Sequence, residues 1–268
     1  MTGRRLHRIL LGVALALWTA AAGATTQKCD LIYYTKRFIS KGKSIRAEIV
    51  RPSYGTHPAV LFIHGTGGLL TRAALERRSV PPVDENFGEY ELACRGYVVI
   101  LIHYFDATEM VNVEDVSVIH RNARIWLSTL QLGLAMTMRL PHVKRASKIG
   151  IIGESLGGYI GLALATEDQR IGAVVIAAAG IPDVCFQHPE RLPPVLVLHG
   201  EEDSVVPTAE AYKLTATLRK FHVRHQLRIL RRAHHALLME RRSECIELSC
   251  MFLSRYISQR VRGMGGPF

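Results

Sequence analysis

Residues 148–165 read KIGIIGESLGGYIGLALA, a stretch in which a predicted strand passes through a glycine-rich turn into a predicted helix. After Lys148, residues 149–152 form a short apolar run typical of a buried strand, and the small residues of the second half favour a helix. Between them, GESLG at 153–157 matches the G-x-S-x-G pattern, in which a serine occupies a sharp turn from strand to helix. The helix directs its N-terminal N–H groups at the serine, where they stabilise developing negative charge. The stretch predicts that Ser155 is an activated nucleophile, and an ordinary glycine turn is the alternative.

Further strand-like stretches on both sides of this one predict the rest of the sheet; most are apolar runs, whereas 44–51 alternates polar and apolar residues. Runs without polar interruption are typical of parallel strands buried on both faces, and helical patterns lie between them. This alternation predicts an α/β fold with a mostly parallel central sheet and helices on both faces. No Pro/Gly/Ser-rich linker divides the chain, so residues 25–268 are expected to form one domain. The predicted strands are 44–51, Ala59–Ile63, 97–103, 148–152, 171–179, 194–199 and 224–230, and the predicted helices are 86–95, 118–139, 156–166, 208–221 and 245–260.

Residues that would activate a serine follow in the second half of the chain. A serine hydroxyl needs a base, and the base needs a carboxylate that orients it and stabilises its charged form. After an elbow of this kind, the expected chain order is serine, acid, histidine. Asp203 follows a predicted strand and is the favoured acid, with Glu201 and Glu202 as competitors. His234 and His235 follow the last strand, and the residues alone do not decide which is the base.

An oxyanion hole needs two backbone donors. The N–H group of Leu156, directly after the serine, is the first. The second is expected from HGTGG at 64–68, with Thr66 or Gly67 as the donor. A glycine-rich loop also suits phosphate, but this one lacks the Lys-Ser/Thr ending of a P-loop.

The N-terminus has the order of a secretory signal peptide. Three arginines lie within the first eight residues, an apolar run spans 9–22, and AGA follows at 22–24. We therefore expect residues 1–24 to be removed and the protein to be periplasmic or secreted. A membrane anchor is the alternative, but a spanning helix needs about 20 apolar residues, more than this run offers, and no other stretch is long and apolar enough.

Charge and histidine content narrow the function classes. The formal net charge is +11, but the basic residues form scattered pairs and no nucleic-acid motif accompanies them. We expect no nucleic-acid partner. The twelve histidines include no HExxH pattern, and the cysteines include no Cys-x-x-Cys, so neither a metal nor another cofactor is expected.

Five cysteines would remain after export, which permits disulfides. The odd count leaves at least one thiol unpaired. Cys245 and Cys250 are five residues apart in a predicted helix, an awkward spacing for a bridge, and sequence alone does not assign the pairing.

Five stretches together resemble the α/β-hydrolase superfamily, and within it the dienelactone hydrolase-like branch. The resemblance implies the α/β-hydrolase fold and hydrolysis of an acyl bond. Its last segment, in which Ala-any-His-Gly-aromatic is usual, places the catalytic histidine on His235, although Ala236 and Leu237 depart from the pattern. The namesake of the branch uses a cysteine nucleophile, whereas this chain has Ser155. The stretches are HGTGG at 64–68, LACRGYVVILIHYFD at 92–106, KIGIIGESLGGYIGLALA at 148–165, PVLVLHGEEDSVVP at 194–207 and AHHAL at 233–237.

The resemblance leaves the scissile bond open. Serine members of the broader group cleave carboxylic esters, which is the favoured function, through an acyl-enzyme on Ser155. A serine peptidase or amidase is the main alternative, and a binding protein that retains the fold is a third. The oligomeric state is not predicted.

Two segments bear on access to the site. About 15 residues separate the predicted strands that end at 179 and begin at 194, which leaves no room for a large cap domain. The segment 69–85 follows the oxyanion loop and is the candidate lid. Its arginines, Arg72, Arg77 and Arg78, favour an anionic ester or peptide substrate, and a solvated loop is the alternative.

Overall fold

A computed structural model describes residues 29–69, 88–145, 147–182 and 188–257. In these ranges an eight-stranded sheet forms the centre of the molecule, in the order β1-β2-β4-β3-β5-β6-β7-β8. The first two strands pair antiparallel, β2 pairs antiparallel with β4, and all other neighbours are parallel. The strands are β1 Leu31–Ser40, β2 Lys43–Pro52, β3 Ala59–Ile63, β4 Val98–Ile102, β5 Ile149–Glu154, β6 Ile171–Ala177, β7 Val195–Gly200 and β8 His225–Leu230.

Helices cover both faces of the sheet. Successive strand residues point to opposite faces, so Leu61 joins one apolar cluster while Phe62 joins the other. Helices α2, α3 and α4 pack on the first cluster, around the fully buried Trp126, whereas α1, α5 and α6 pack on the second. The helices are α1 Glu89–Cys94, α2 Val116–Thr137, α3 Leu156–Glu167, α4 Thr208–Lys220, α5 Leu237–Glu240 and α6 Arg242–Tyr256, with short 3-10 helices at Tyr104–Thr108 and Pro189–Arg191.

The predicted fold class is confirmed. Every predicted strand is present, and the α/β-hydrolase architecture carries no large cap domain in the part of the chain that the structure describes. One strand was missed, because the polar and apolar residues of β1 do not alternate and the strand is only partly buried. The predicted start of the last helix at 245 was late, since α6 begins at Arg242. None of the helices in the described ranges has the length and apolar character that crossing a bilayer requires.

A disulfide joins the start of the described chain to a helix. Cys29 is bonded to Cys94 at the end of α1, with 5.5 Å between the Cα atoms. Cys245 and Cys250 both lie in α6 as free thiols, which agrees with the awkward spacing noted above. Cys185, like residues 1–24 and nearly all of the candidate lid at 69–85, lies outside the described residues.

Candidate active site

The turn from β5 to α3 presents Ser155 at the carboxyl edge of the sheet. Its backbone adopts φ 51° and ψ −122°, a conformation that non-glycine residues rarely occupy and that costs about 1–3 kcal/mol. The N–H group of Ser155 donates to the Ala177 carbonyl on β6 at 2.9 Å, which fixes the start of the turn. Strand pairing on one side and the helix on the other thus hold the hydroxyl in place.

Glycines around the turn permit close backbone approach. A Cβ atom on Gly157 would lie 2.0 Å from the Ile63 carbonyl oxygen, so only glycine fits there. A Cβ atom on Gly65 would lie 3.2 Å from the Ser155 Cβ. The loop after β3 therefore runs directly beside the serine, as the predicted oxyanion loop must.

A continuous chain of hydrogen bonds connects three of the predicted residues. The Ser155 hydroxyl lies 3.0 Å from Nε2 of His235. On the other side of the ring, Nδ1 of His235 lies 2.9 Å from Oδ2 and 3.1 Å from Oδ1 of Asp203. A proton on Nδ1 directed at the carboxylate leaves the Nε2 lone pair facing the hydroxyl. The arrangement can accept the serine proton and stabilise the imidazolium that results.

Two backbone N–H groups and a buried histidine hold the carboxylate of Asp203. Its Oδ1 accepts the N–H groups of Val205 and Val206, both at 2.9 Å. The fully buried His199 also faces it, with Nε2 3.3 Å from Oδ2 of Asp203 and 2.9 Å from the Val206 carbonyl. Since both neighbours of Nε2 are acceptors, this nitrogen carries the proton, while Nδ1 of His199 is buried without a hydrogen-bond partner. The sequence interpretation missed His199, although it directly follows the apolar run of β7.

The competing candidates lie away from the serine. His234 is an exposed side chain, and its Nδ1 lies 3.3 Å from Oε2 of Glu240. Its Nε2 lies 3.6 Å from Oε2 of Glu202, and Glu201 accepts the backbone N–H of Arg232. The structure therefore brings His235 and Asp203, rather than these neighbours, to Ser155.

The predicted oxyanion donors belong to α3, which begins directly after the serine, and to the loop after β3, in which Gly65 lies beside it. Leu156 is the first residue of α3, where no carbonyl of the preceding turn is available to its N–H group. In the loop after β3, Thr66 accepts the Val113 N–H at 2.9 Å, and Gly67 is exposed. His64 anchors the base of this loop, because its ring stacks on Tyr104 at 4.2 Å. Burial lowers the pKa of His64 to about 3, so its imidazole is neutral.

A second carboxyl group lies beside the serine and was missed from the sequence. Glu154, the variable residue before the nucleophile in the pattern, is buried, and its Oε1 accepts the Leu238 N–H at 3.2 Å. Burial raises the pKa of Glu154 to about 6, partly offset by that hydrogen bond and by His235. Pattern matching gives no signal for it, since any residue fits that position.

Among the described residues, no group of three or more His, Cys, Asp or Glu side chains is arranged to hold a metal ion.

The sequence of the chain matches a known protein family. Residues 84–256, more than half of the chain, match the sequence profile of the dienelactone hydrolase family. The chain belongs to the dienelactone hydrolase family. The dienelactone hydrolase family is a hydrolase family, so this chain is an enzyme of that class with a small-molecule substrate. No curated protein matches the chain.

Solved structures share the fold of this dienelactone hydrolase family member. The dienelactone hydrolase of Anabaena variabilis is 22% identical, and the match covers 85% of this chain and 99% of that one, with a TM-score of 0.63. A dienelactone hydrolase-like promiscuous phosphotriesterase from metagenomic libraries is 19% identical, with coverages of 85% and 100% and a TM-score of 0.68. The acylaminoacyl peptidase of Pyrococcus horikoshii is 16% identical, with coverages of 89% and 44% and a TM-score of 0.70. At these identities the likeness establishes the fold alone.

Proposed function

We propose that the protein is a serine hydrolase that cleaves carboxylic esters through an acyl-enzyme on Ser155. The observation that carries this proposal is the unbroken hydrogen-bonded chain from the Ser155 hydroxyl through His235 to the buried carboxylate of Asp203. Membership in the dienelactone hydrolase family supports an ester, because a lactone is a cyclic ester.

In the proposed reaction, Ser155 Oγ attacks the carbonyl carbon while His235 Nε2 takes the hydroxyl proton. The N–H groups of Leu156 and of Thr66 or Gly67 bind the oxyanion of the tetrahedral intermediate. The intermediate expels the alcohol, which receives the proton from His235, and leaves an ester on Oγ. Water, deprotonated by His235, then attacks this ester, and the second tetrahedral intermediate releases the acid while His235 returns the proton to Ser155 Oγ. Asp203 stays ionised and holds the imidazole in the required tautomer.

A fluorophosphonate tests the nucleophile, because it phosphonylates only a serine that a neighbouring base activates. We expect one adduct per molecule in the intact mass of the wild-type protein and none on a Ser155→Ala variant. Absence of an adduct on folded wild-type protein would contradict the proposal and favour a binding protein that has retained the fold.

Amide cleavage is the second candidate, because Ser155, His235 and Asp203 could form the same acyl-enzyme from a peptide bond. The uncapped edge of the sheet in the described ranges, and the likeness in fold to an acylaminoacyl peptidase, support keeping it. Turnover of an ester and of its matching amide separates the two. We expect the ester to be hydrolysed and the amide to be cleaved far more slowly; comparable turnover would assign a peptidase or amidase.

We also propose that the protein is exported and that residues 1–24 are removed, leaving a single domain over 25–268. The disulfide between Cys29 and Cys94 supports this proposal, because such bonds persist in oxidising compartments such as the periplasm. Intact-mass measurement also tests cleavage. For protein produced with export, we expect the mass of a chain that begins at Thr25. A mass that retains residues 1–24 on exported protein would count against cleavage.

A further inference from the structure

A polar cavity of about 220 Å³ lies at the same edge of the sheet as Ser155, but on the side of β2 and β4. The β1–β2 hairpin forms one wall, and the segment after β4 forms the other. This edge is shared because β2 runs antiparallel to β4, so that β2 begins where β4 ends; the His103 N–H group donates to the Arg46 carbonyl there. The charged lining residues are Arg37, Lys43, Arg46, Asp106 and Glu109.

Two arginines face each other across the hairpin at this cavity. Arg37 on β1 and Arg46 on β2 are direct partners in the strand register, so their side chains emerge on the same face. Like charges directly opposite each other destabilise a sheet. Arg46 is mostly buried, and its Nε atom makes no hydrogen bond, although it lies 4.0 Å from Oε1 of Glu48. Both features would be relieved by an anion between the two guanidinium groups.

The carboxylates around the cavity are already engaged. Glu109 pairs with Lys43 at 2.9 Å, and Asp106 accepts the Arg46 backbone N–H at 3.0 Å. Behind the cavity, Glu48 accepts hydrogen bonds from His103 at 2.7 Å and from Tyr33 at 2.9 Å. Three cationic side chains therefore face two carboxylates in the lining, and a third carboxylate, that of Glu48, lies behind it at 4.0 Å from the Arg46 Nε atom.

We propose that this cavity, which we call the hairpin pocket, binds an anionic group of the carboxylate or phosphate class between Arg37, Lys43 and Arg46. The pocket is distinct from the acyl site but shares the oxyanion loop with it: His64 and the adjoining Leu69 line the pocket, whereas Gly65 lies beside Ser155. The Val113 N–H group bonds to the Thr66 carbonyl at 2.9 Å, so the segment after β4 packs directly behind that loop. The nucleophile strand β5 is two strand spacings from β4, roughly 10 Å.

Titration of the purified wild-type protein with inorganic phosphate at low ionic strength tests the binding, with chloride at equal ionic strength as the reference. The test variant is Arg37→Gln/Lys43→Gln, since Arg46 also bonds to His103 and its loss would disturb the core. Lys36→Gln is the matched control, because Lys36 precedes Arg37 on β1 and points to the opposite face. We expect saturable phosphate binding in wild type and in Lys36→Gln, and at least about tenfold weaker binding in the double variant.

The anion has two possible sources, a free ion or a charged end of the substrate. A series of ester pairs that differ only by a terminal carboxylate on the acyl chain separates them, and this arm rests on the proposed esterase function. A higher kcat/KM for the charged ester that disappears in the double variant assigns the pocket to the substrate. Phosphate binding without such a preference assigns it to a free anion.

Three results would overturn the proposal: no saturable phosphate binding by wild type, equal binding by the double variant, or equal loss in Lys36→Gln. Thermal unfolding of each variant verifies that it is folded. The phosphate titration does not depend on turnover. If Ser155 proved unreactive, the proposed function would be refuted, but the titration would still show whether the hairpin pocket binds an anion.

Discussion

Two histidine–carboxylate pairs lie at the same edge of the sheet, and they differ in the group that faces the second nitrogen. His235 binds Asp203 at 2.9 Å and directs its other nitrogen at the Ser155 hydroxyl. His103 binds Glu48 at 2.7 Å and directs its other nitrogen at an Nη atom of Arg46, 3.2 Å away. A serine hydroxyl can give its proton to an imidazole, whereas a guanidinium does not deprotonate in proteins. A histidine–carboxylate pair alone therefore does not indicate a catalytic site. The group that faces the other ring nitrogen determines whether the histidine can act as a base.

The strongest test of this comparison replaces the histidines near the serine. We expect His235→Ala to lower kcat by about 10⁴-fold or more, because the base that activates Ser155 is lost. His234→Ala is the control, since its exposed ring contacts only surface carboxylates, and we expect kcat to stay nearly unchanged. Ester hydrolysis rates measure both variants. Equal losses in the two variants would break the assignment of the base to His235.

The second test concerns the His103–Glu48 pair and measures stability instead of activity. His103→Ala leaves the buried Glu48 without its shortest hydrogen bond, and we expect the free energy of unfolding to fall by about 3 kcal/mol. Turnover of an ester without a charged end should be nearly unchanged, because His103 does not contact Ser155 or His235. The control is His188→Ala, whose partner Glu190 is half exposed, and its loss should cost less than about 1 kcal/mol. Urea unfolding measures both, and a large loss of turnover in His103→Ala would show that the two pairs are not distinct in role.

The smallest expected effect concerns the carboxyl group beside the serine. Burial raises the pKa of Glu154 to about 6, from 4.5 for an ordinary glutamic acid. The folded protein thus holds this proton more tightly than the unfolded chain does, so this group's contribution to stability falls as pH rises from about 4.5 to about 6, and the loss persists at higher pH. The difference corresponds to about 2 kcal/mol.

A Glu154→Gln variant keeps an acceptor for the Leu238 N–H group and cannot ionise. Urea unfolding near pH 8 should show it more stable than wild type by up to about 2 kcal/mol, and near pH 4 the two should be equal. A difference that does not change with pH would show that the charge of Glu154 is not the cause.

The sequence determines the parallel part of the sheet more clearly than its edge. Strands such as β3 are apolar at every position because both faces are covered, and such runs are visible without a structure. The edge strand β1 takes its hydrogen bonds from β2 and leaves Ile39 mostly exposed, so no periodicity marks it. The sequence did contain one signal for a hairpin between β1 and β2, the glycine of Lys41-Gly42. In the structure these two residues form the turn, and φ is positive at both, as a tight hairpin requires.

The residues of the candidate site also differ in how well the sequence predicts them. Ser155, Asp203 and the oxyanion loop follow from local patterns, since each lies or begins within three residues of the end of a buried strand. The residues alone could not choose between His234 and His235, because the direction of a loop side chain depends on the tertiary packing. The partners of Glu48 and of Arg46 were also beyond reach, since they join β2 to the end of β4 across more than 50 residues.

The disulfide has a consequence for how damage to this protein would be detected. Cys29 and Cys94 are separated by 65 positions, and the candidate lid lies between them. A protease that cuts anywhere in that interval leaves two fragments joined through sulfur, so a non-reducing gel would show one band of the original mass. Only a reduced sample would separate intact from nicked chains.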